Sequence, residues 1–144
     1  MIEHAWTTVC QKSIIDKDSN NISLDILEQL SIQMPSIPAD AKGIIFPIQI
    51  EIVSLWYKGL NTKGKKYSAR LKIKSPSDDI ISKKDMEVDL TNTQRYRTRI
   101  KLNGLPIKKQ SSGYFYFITE VKLNNKWKEV SKIPVEVRLQ SSVP

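Results

Sequence analysis

Two stretches alternate between polar, mostly cationic residues and largely apolar ones, and that two-residue period is the tightest constraint this chain places on its own fold. In Lys66–Lys74, Tyr67, Ala69, Leu71 and Ile73 take one side, while Lys66, Ser68, Arg70, Lys72 and Lys74 take the other. In Arg95–Leu102, Tyr96, Thr98, Ile100 and Leu102 turn inward, while Arg95, Arg97, Arg99 and Lys101 share the opposite face. Helices cannot keep such a pattern on one face, so both are strands with one side buried.

The same period organises the rest. From Ile2, His4, Trp6, Thr8 and Cys10 share a parity, and the turn formers at 16–21 then reverse the chain. Ile22, Leu24, Ile26, Leu30 and Ile32 read as a returning strand with an irregularity near Leu27; a short helix over Leu24, Ile26, Leu27 and Leu30 is the alternative. Residues 34–42, with two prolines, read as a crossing loop, and 44–57 as one central strand of β-branched and aromatic residues. Turns are expected at 58–65 and 75–79 and a strand at 85–90. Asn124-Asn125, whose residue type tolerates positive φ, should join 114–123 to 126–130 and 135–139, with Pro134 at a bulge or edge.

About eight such strands with no helical rhythm point to one domain over residues 1–144: an all-β, antiparallel two-sheet β-sandwich, immunoglobulin-like or C2-like, with a closed barrel as the alternative. The opening strand, the reversal at 16–21, the second strand, and Gly113-Tyr114-Phe115-Tyr116-Phe117, Trp127 and Ile133-Pro134-Val135-Glu136-Val137 together resemble the layout of small bacterial β-sandwich families of unknown function. That resemblance implies the fold and carries over no functional residue.

Charge is distributed unevenly. Residues 1–56 hold three lysines against seven acids, whereas the remainder holds 20 basic and 8 acidic residues, so the net +8 comes from the later part. Such a field favours acidic proteins, nucleic acid or anionic membrane surfaces. The single Cys10 has no partner for an intramolecular disulfide, and no apolar run approaches the ~20 residues of a spanning helix. A reducing, cytoplasmic setting without membrane insertion is the expectation.

Catalytic and metal chemistry find little support. His4 is the only histidine, and no Gly-x-Ser-x-Gly elbow presents a serine to it. His4 and Cys10, six strand residues or ~20 Å apart, cannot share a zinc whose ligands lie within ~4 Å of each other. Asp16-x-Asp18-x-Asn20 opens like a calcium loop, but Asn21 stands where glycine is needed and Leu27 where a bidentate glutamate is needed. Asp85, Glu87 and Asp89 alternate as a solvated face does. Trp6, Trp56 and Trp127 read as core or core-rim residues.

What remains is the cationic side chains. Arg70, Lys72 and Lys74 on one strand and Arg95, Arg97, Arg99 and Lys101 on another are the expected binding residues, and they form one patch if their strands share a sheet. The leading expectation is a non-enzymatic module that binds an acidic protein through that face; sequence-nonspecific nucleic-acid binding by the same face is the alternative. Neither cofactor nor metal is expected, and self-association through an open sheet edge stays open.

Overall fold

A computed structural model describes residues 1–34, 43–108 and 112–141. The loop expected at 34–42 therefore lies outside the described residues except for its first residue. Every regular element among the described residues is a strand. The order is β1 (Ile2–Ile15), β2 (Ile22–Ile26), β3 (Gln29–Met34), β4 (Ile44–Phe46), β5 (Ile50–Lys58), β6 (Lys66–Lys74), β7 (Ile80–Asp89), β8 (Arg95–Leu102), β9 (Leu105–Ile107), β10 (Gly113–Leu123) and β11 (Lys126–Ser141). They build a curled four-stranded sheet, β2-β1-β5-β8, a five-stranded sheet, β3-β11-β10-β6-β7, and a small β4-β9 pair.

The all-β expectation holds, and three details of it are corrected. There are eleven strands, a third sheet exists, and β3 runs parallel to β11, so the five-stranded sheet is mixed. Two expected strands are split for identifiable reasons. At Pro47 the run 44–57 loses a backbone donor, and the Ile48 N–H folds back onto the Phe46 carbonyl at 2.9 Å. At Leu27 and Glu28 the chain changes sheets: the Leu27 N–H donates to Val9 in the four-stranded sheet, and the Glu28 carbonyl accepts from Glu136 in the five-stranded one. Leu27, Leu30 and Ile32 all enter the same core on either side of that switch, which is why their spacing did not betray it.

The core lies between the two larger sheets. Val9, Ile50, Ile52 and Leu102 from one meet Leu71, Ile73, Phe115, Phe117, Val135 and Val137 from the other, each buried side chain contributing about 1.5–3 kcal/mol. Trp56, Tyr67, Val88 and Leu90 close a second cluster beside it. Asn124 and Asn125 adopt φ of 51° and 63°, the left-handed pair that a two-residue hairpin requires. Pro134 sits in β11 before the pairing with β3 begins at Glu136, so its missing donor leaves no gap in that ladder.

The curl of the four-stranded sheet originates in β1. Its ladder slips between His4 and Trp6 and again between Cys10 and Lys12. Each bulge adds one residue and bends the strand, and two in one strand roll the β1–β2 hairpin over the sheet's outer face. The first bulge also breaks the shared parity expected of β1. His4 faces inward onto Trp56, its ring 5.1 Å from the indole, while Trp6, Thr8 and Cys10 pair with Leu55, Val53 and Glu51 on the outer face.

Candidate functional site

The register of β8 against β5 sets Lys101 beside Glu51, Arg99 beside Val53, Arg97 beside Leu55 and Arg95 beside Tyr57. Opposed residues in a ladder share a face, so these join Trp6, Thr8 and Cys10 from β1 on the outer side of the four-stranded sheet. Beyond the second bulge, Ser13 pairs with Leu24 and Ile15 with Ile22 on the same side. That side is concave. Val53 is 0 % exposed although it points away from the main core, and Cys10 beside it is equally buried. The hairpin turn reaches across the sheet, where the Asn20 carbonyl accepts a hydrogen bond from Arg97 Nη2 at 3.3 Å.

The turn is held in shape by Asp16. Its carboxylate accepts the N–H of Asp18 at 2.9 Å and of Ser19 at 3.5 Å, and these bonds hold its pKa below the usual range. Asp16 thus does the work of a turn residue, with Asn20 at φ 59° completing the reversal. Between this turn and β8 opens a cleft of about 630 Å³, lined by Ser19, Asn20, Asn21, Ile22, Leu55, Arg95, Tyr96 and Arg97.

Charge within the groove is arranged in two halves. At one end Glu51, 4 % exposed, accepts a short hydrogen bond from the Ser13 hydroxyl, and Arg99 and Lys101 approach it at 3.5 and 3.8 Å. Burial pushes the Glu51 carboxyl up, but Ser13, Arg99 and Lys101 hold it below its ordinary value. At the other end, neither Arg95 nor Arg97 is ion-paired among the described residues, and the buried Nε of Arg97 has no hydrogen-bond partner. A guanidinium with an idle donor beside apolar Leu55 and Ile22 is suited to a carboxylate carried on a partly apolar segment.

The other expected stripe lies elsewhere. Arg70, Lys72 and Lys74 project from β6 on the outer face of the five-stranded sheet, so the seven basic residues do not form one patch on a single sheet. There Glu120 binds Arg70 at 2.7 Å and Lys72 at 3.2 Å, and Lys74 reaches Asp78 at 3.5 Å. The Arg70 guanidinium also stacks 4.0 Å from the Trp127 ring centre. Asp85 lies opposite Arg70 and Asp89 opposite Lys66, while Lys83 lies opposite Lys72, so β7 answers the basic side of β6 with acids along only part of its length. Trp56 is the fully buried tryptophan; Trp6 and Trp127 are half-buried, one in the groove and one on this second face.

Glu51 and Glu120 were not among the expected site residues. Each is a lone acid within an apolar strand, Ile50 to Trp56 and Phe115 to Val121, and a carboxylate so placed needs a cationic partner. That signal was present in the sequence.

No protein-family model matches the chain, and no curated protein sequence matches it either.

Proposed function

We propose that the protein is a non-enzymatic binding module, working in the reducing interior of the cell, that takes an acidic segment of a partner protein into the concave groove of the four-stranded sheet. In this reading the two larger sheets serve as a β-sandwich frame of the immunoglobulin-like or C2-like kind, the small β4–β9 pair lies outside them, and the β1–β2 hairpin is the specialised part. One observation carries the reading: Arg95 and Arg97, free of carboxylate partners among the described residues, stand over apolar Leu55 and Ile22, and Arg97 keeps an unsatisfied donor there. Buried, unpaired Cys10 fits a compartment where thiols stay reduced.

A fluorescently labelled peptide of alternating glutamate and leucine serves as the probe. Anisotropy should report binding that Arg95→Ser with Arg97→Ser weakens about tenfold or more and that Lys72→Gln with Lys74→Gln leaves unchanged. Equal loss in both double variants, or no binding by wild type, contradicts the reading.

Nucleic-acid binding is the second reading, and one observation favours it. Tyr114, Tyr116 and Trp127 share the outer face of the five-stranded sheet with Arg70, Lys72 and Lys74, which puts aromatic rings and cations on one surface. It predicts affinity for mixed-sequence DNA and RNA that falls steeply and linearly with the logarithm of salt, whereas a groove with apolar contacts gives a shallower slope.

A further inference from the structure

A third set of cations, on neither stripe, gathers at one pole of the molecule. The β5–β6 connection and the β10–β11 turn meet there, and Lys63, Lys65 and Lys122 line a cleft of about 570 Å³ with Thr62, Gly64 and Asn124. A second cleft, of about 320 Å³, shares Lys65, Lys122 and Asn124 with the first. Among the described residues none of these three lysines has a carboxylate within 4 Å; neighbouring Lys66 does, at 3.9 Å from Glu87. Like charges held together without counter-charge repel one another, and an anionic ligand relieves that repulsion.

The connection that carries them is built rather than loose. The Thr62 N–H donates to the Gly59 carbonyl at 3.1 Å, and the Leu90 N–H to the Lys65 carbonyl at 3.0 Å. Gly64 lies so close to the Leu90 carbonyl that any side chain there would collide with it. Within the turn from Gly59 to Thr62 stands Leu60, 84 % exposed, the most exposed large apolar side chain among the described residues.

Lys65 lies 5.0 Å from the Tyr67 ring and Lys122 5.8 Å from the Trp127 ring, contacts that leave both ammonium charges without a counter-charge among the described residues. Three such lysines on the same connection and strand end as an exposed leucine match the chemistry of an anionic lipid surface, where the ammonium groups meet headgroup phosphates and the leucine enters the acyl boundary. A nucleic acid would use the lysines and leave Leu60 in water. We propose that this pole docks the protein peripherally on an anionic bilayer. The contact assigned here is interfacial, made by side chains of the β5–β6 connection and the end of β10.

Co-sedimentation tests it, with vesicles of phosphatidylserine and phosphatidylcholine in equal parts set against pure phosphatidylcholine. The protein should partition onto the mixed vesicles alone. Each of Lys63→Gln, Lys65→Gln and Lys122→Gln should lower that partition about fivefold, and Leu60→Ser about tenfold. All four side chains are exposed, so the melting curve should not move. Absence of partition overturns the proposal, as does partition indifferent to Leu60→Ser. So does the pairing of no vesicle binding with single-stranded DNA binding that the triple lysine variant loses, which assigns the pole to nucleic acid. The Arg95 and Arg97 double variant should partition normally, which separates this outcome from failure of the groove reading.

Discussion

The outer faces of the two larger sheets solve one problem in different ways. Each carries a basic stripe and each buries one glutamate among its cations: Glu120 with Arg70 and Lys72, Glu51 with Arg99 and Lys101. On the five-stranded sheet the arrangement is closed. Arg70 and Lys72 are 20 % and 17 % exposed at the side chain, and Trp127 covers the guanidinium. On the four-stranded sheet Arg99 and Lys101 are more open, at 30 % and 54 %, and the stripe continues past Glu51 to two arginines that no carboxylate among the described residues answers. The comparison teaches that a basic stripe in sequence is a neutral question until the acids of neighbouring strands are placed. One stripe is ion-paired within its sheet, and the other ends in arginines without a carboxylate partner among the described residues.

That contrast predicts unequal costs. Removing Glu120 strands two cations that water barely reaches, so Glu120→Ala should lose about 3 kcal/mol, read as a lower urea midpoint. Glu51→Ala releases cations that solvent can reach, and about 2 kcal/mol is expected. If the second loss exceeds the first, the ranking of the two faces is wrong.

Acid sharpens the comparison further. Burial raises both carboxyls, yet Ser13, Arg99 and Lys101 hold Glu51, and Arg70 and Lys72 hold Glu120, below the ordinary value of 4.5. The folded protein therefore binds fewer protons than the unfolded chain as pH falls below about 4.5, so the stability from these groups is full above that pH and disappears as it drops through their folded values. Glu51→Gln and Glu120→Gln should each flatten the acid limb of a stability-against-pH curve. An unchanged limb in both would remove these carboxyls from the account of acid sensitivity.

Smaller effects separate covering from pairing. Trp127→Ala removes the ring over Arg70 while keeping Glu120, and should cost about 1 kcal/mol. Asp16→Ala removes two turn hydrogen bonds at an exposed site, so the smallest shift of the melt is expected there. Peptide affinity at the groove should fall more than stability does, because Asn20 loses its fixed place against Arg97.

How much of this was legible in the sequence varies with the range of the interaction. β6 and β8 follow from alternation to the residue, since one-sided burial writes period two directly into residue choice. The Asn124-Asn125 hairpin was equally plain. The bulges in β1 were not, because the extra residue at the first, Ala5, has no distinguishing chemistry, and yet that one residue sends His4 and Cys10 to opposite faces. Nor could local pattern show that β6 and β8 belong to different sheets, a fact settled by pairings of β6 with β10 and β8 with β5. The lysine pole escaped for the same reason: its cations come from the β5–β6 connection and the end of β10, more than fifty residues apart in sequence.

Arg70 is satisfied within the fold, whereas the proposed function has Arg97 take the ligand, and their Nε–H groups report the two sites separately. Arg70 Nε donates to Glu120 at 2.7 Å, whereas Arg97 Nε has no partner. Nitrogen-15 spectra of the arginine side chains, recorded while the glutamate–leucine peptide is added, should show the Arg97 Nε–H signal shifting and gaining protection from exchange as the Arg70 signal stays fixed. An Arg70 signal that moves while that of Arg97 does not would place the binding face on the other sheet and contradict the account.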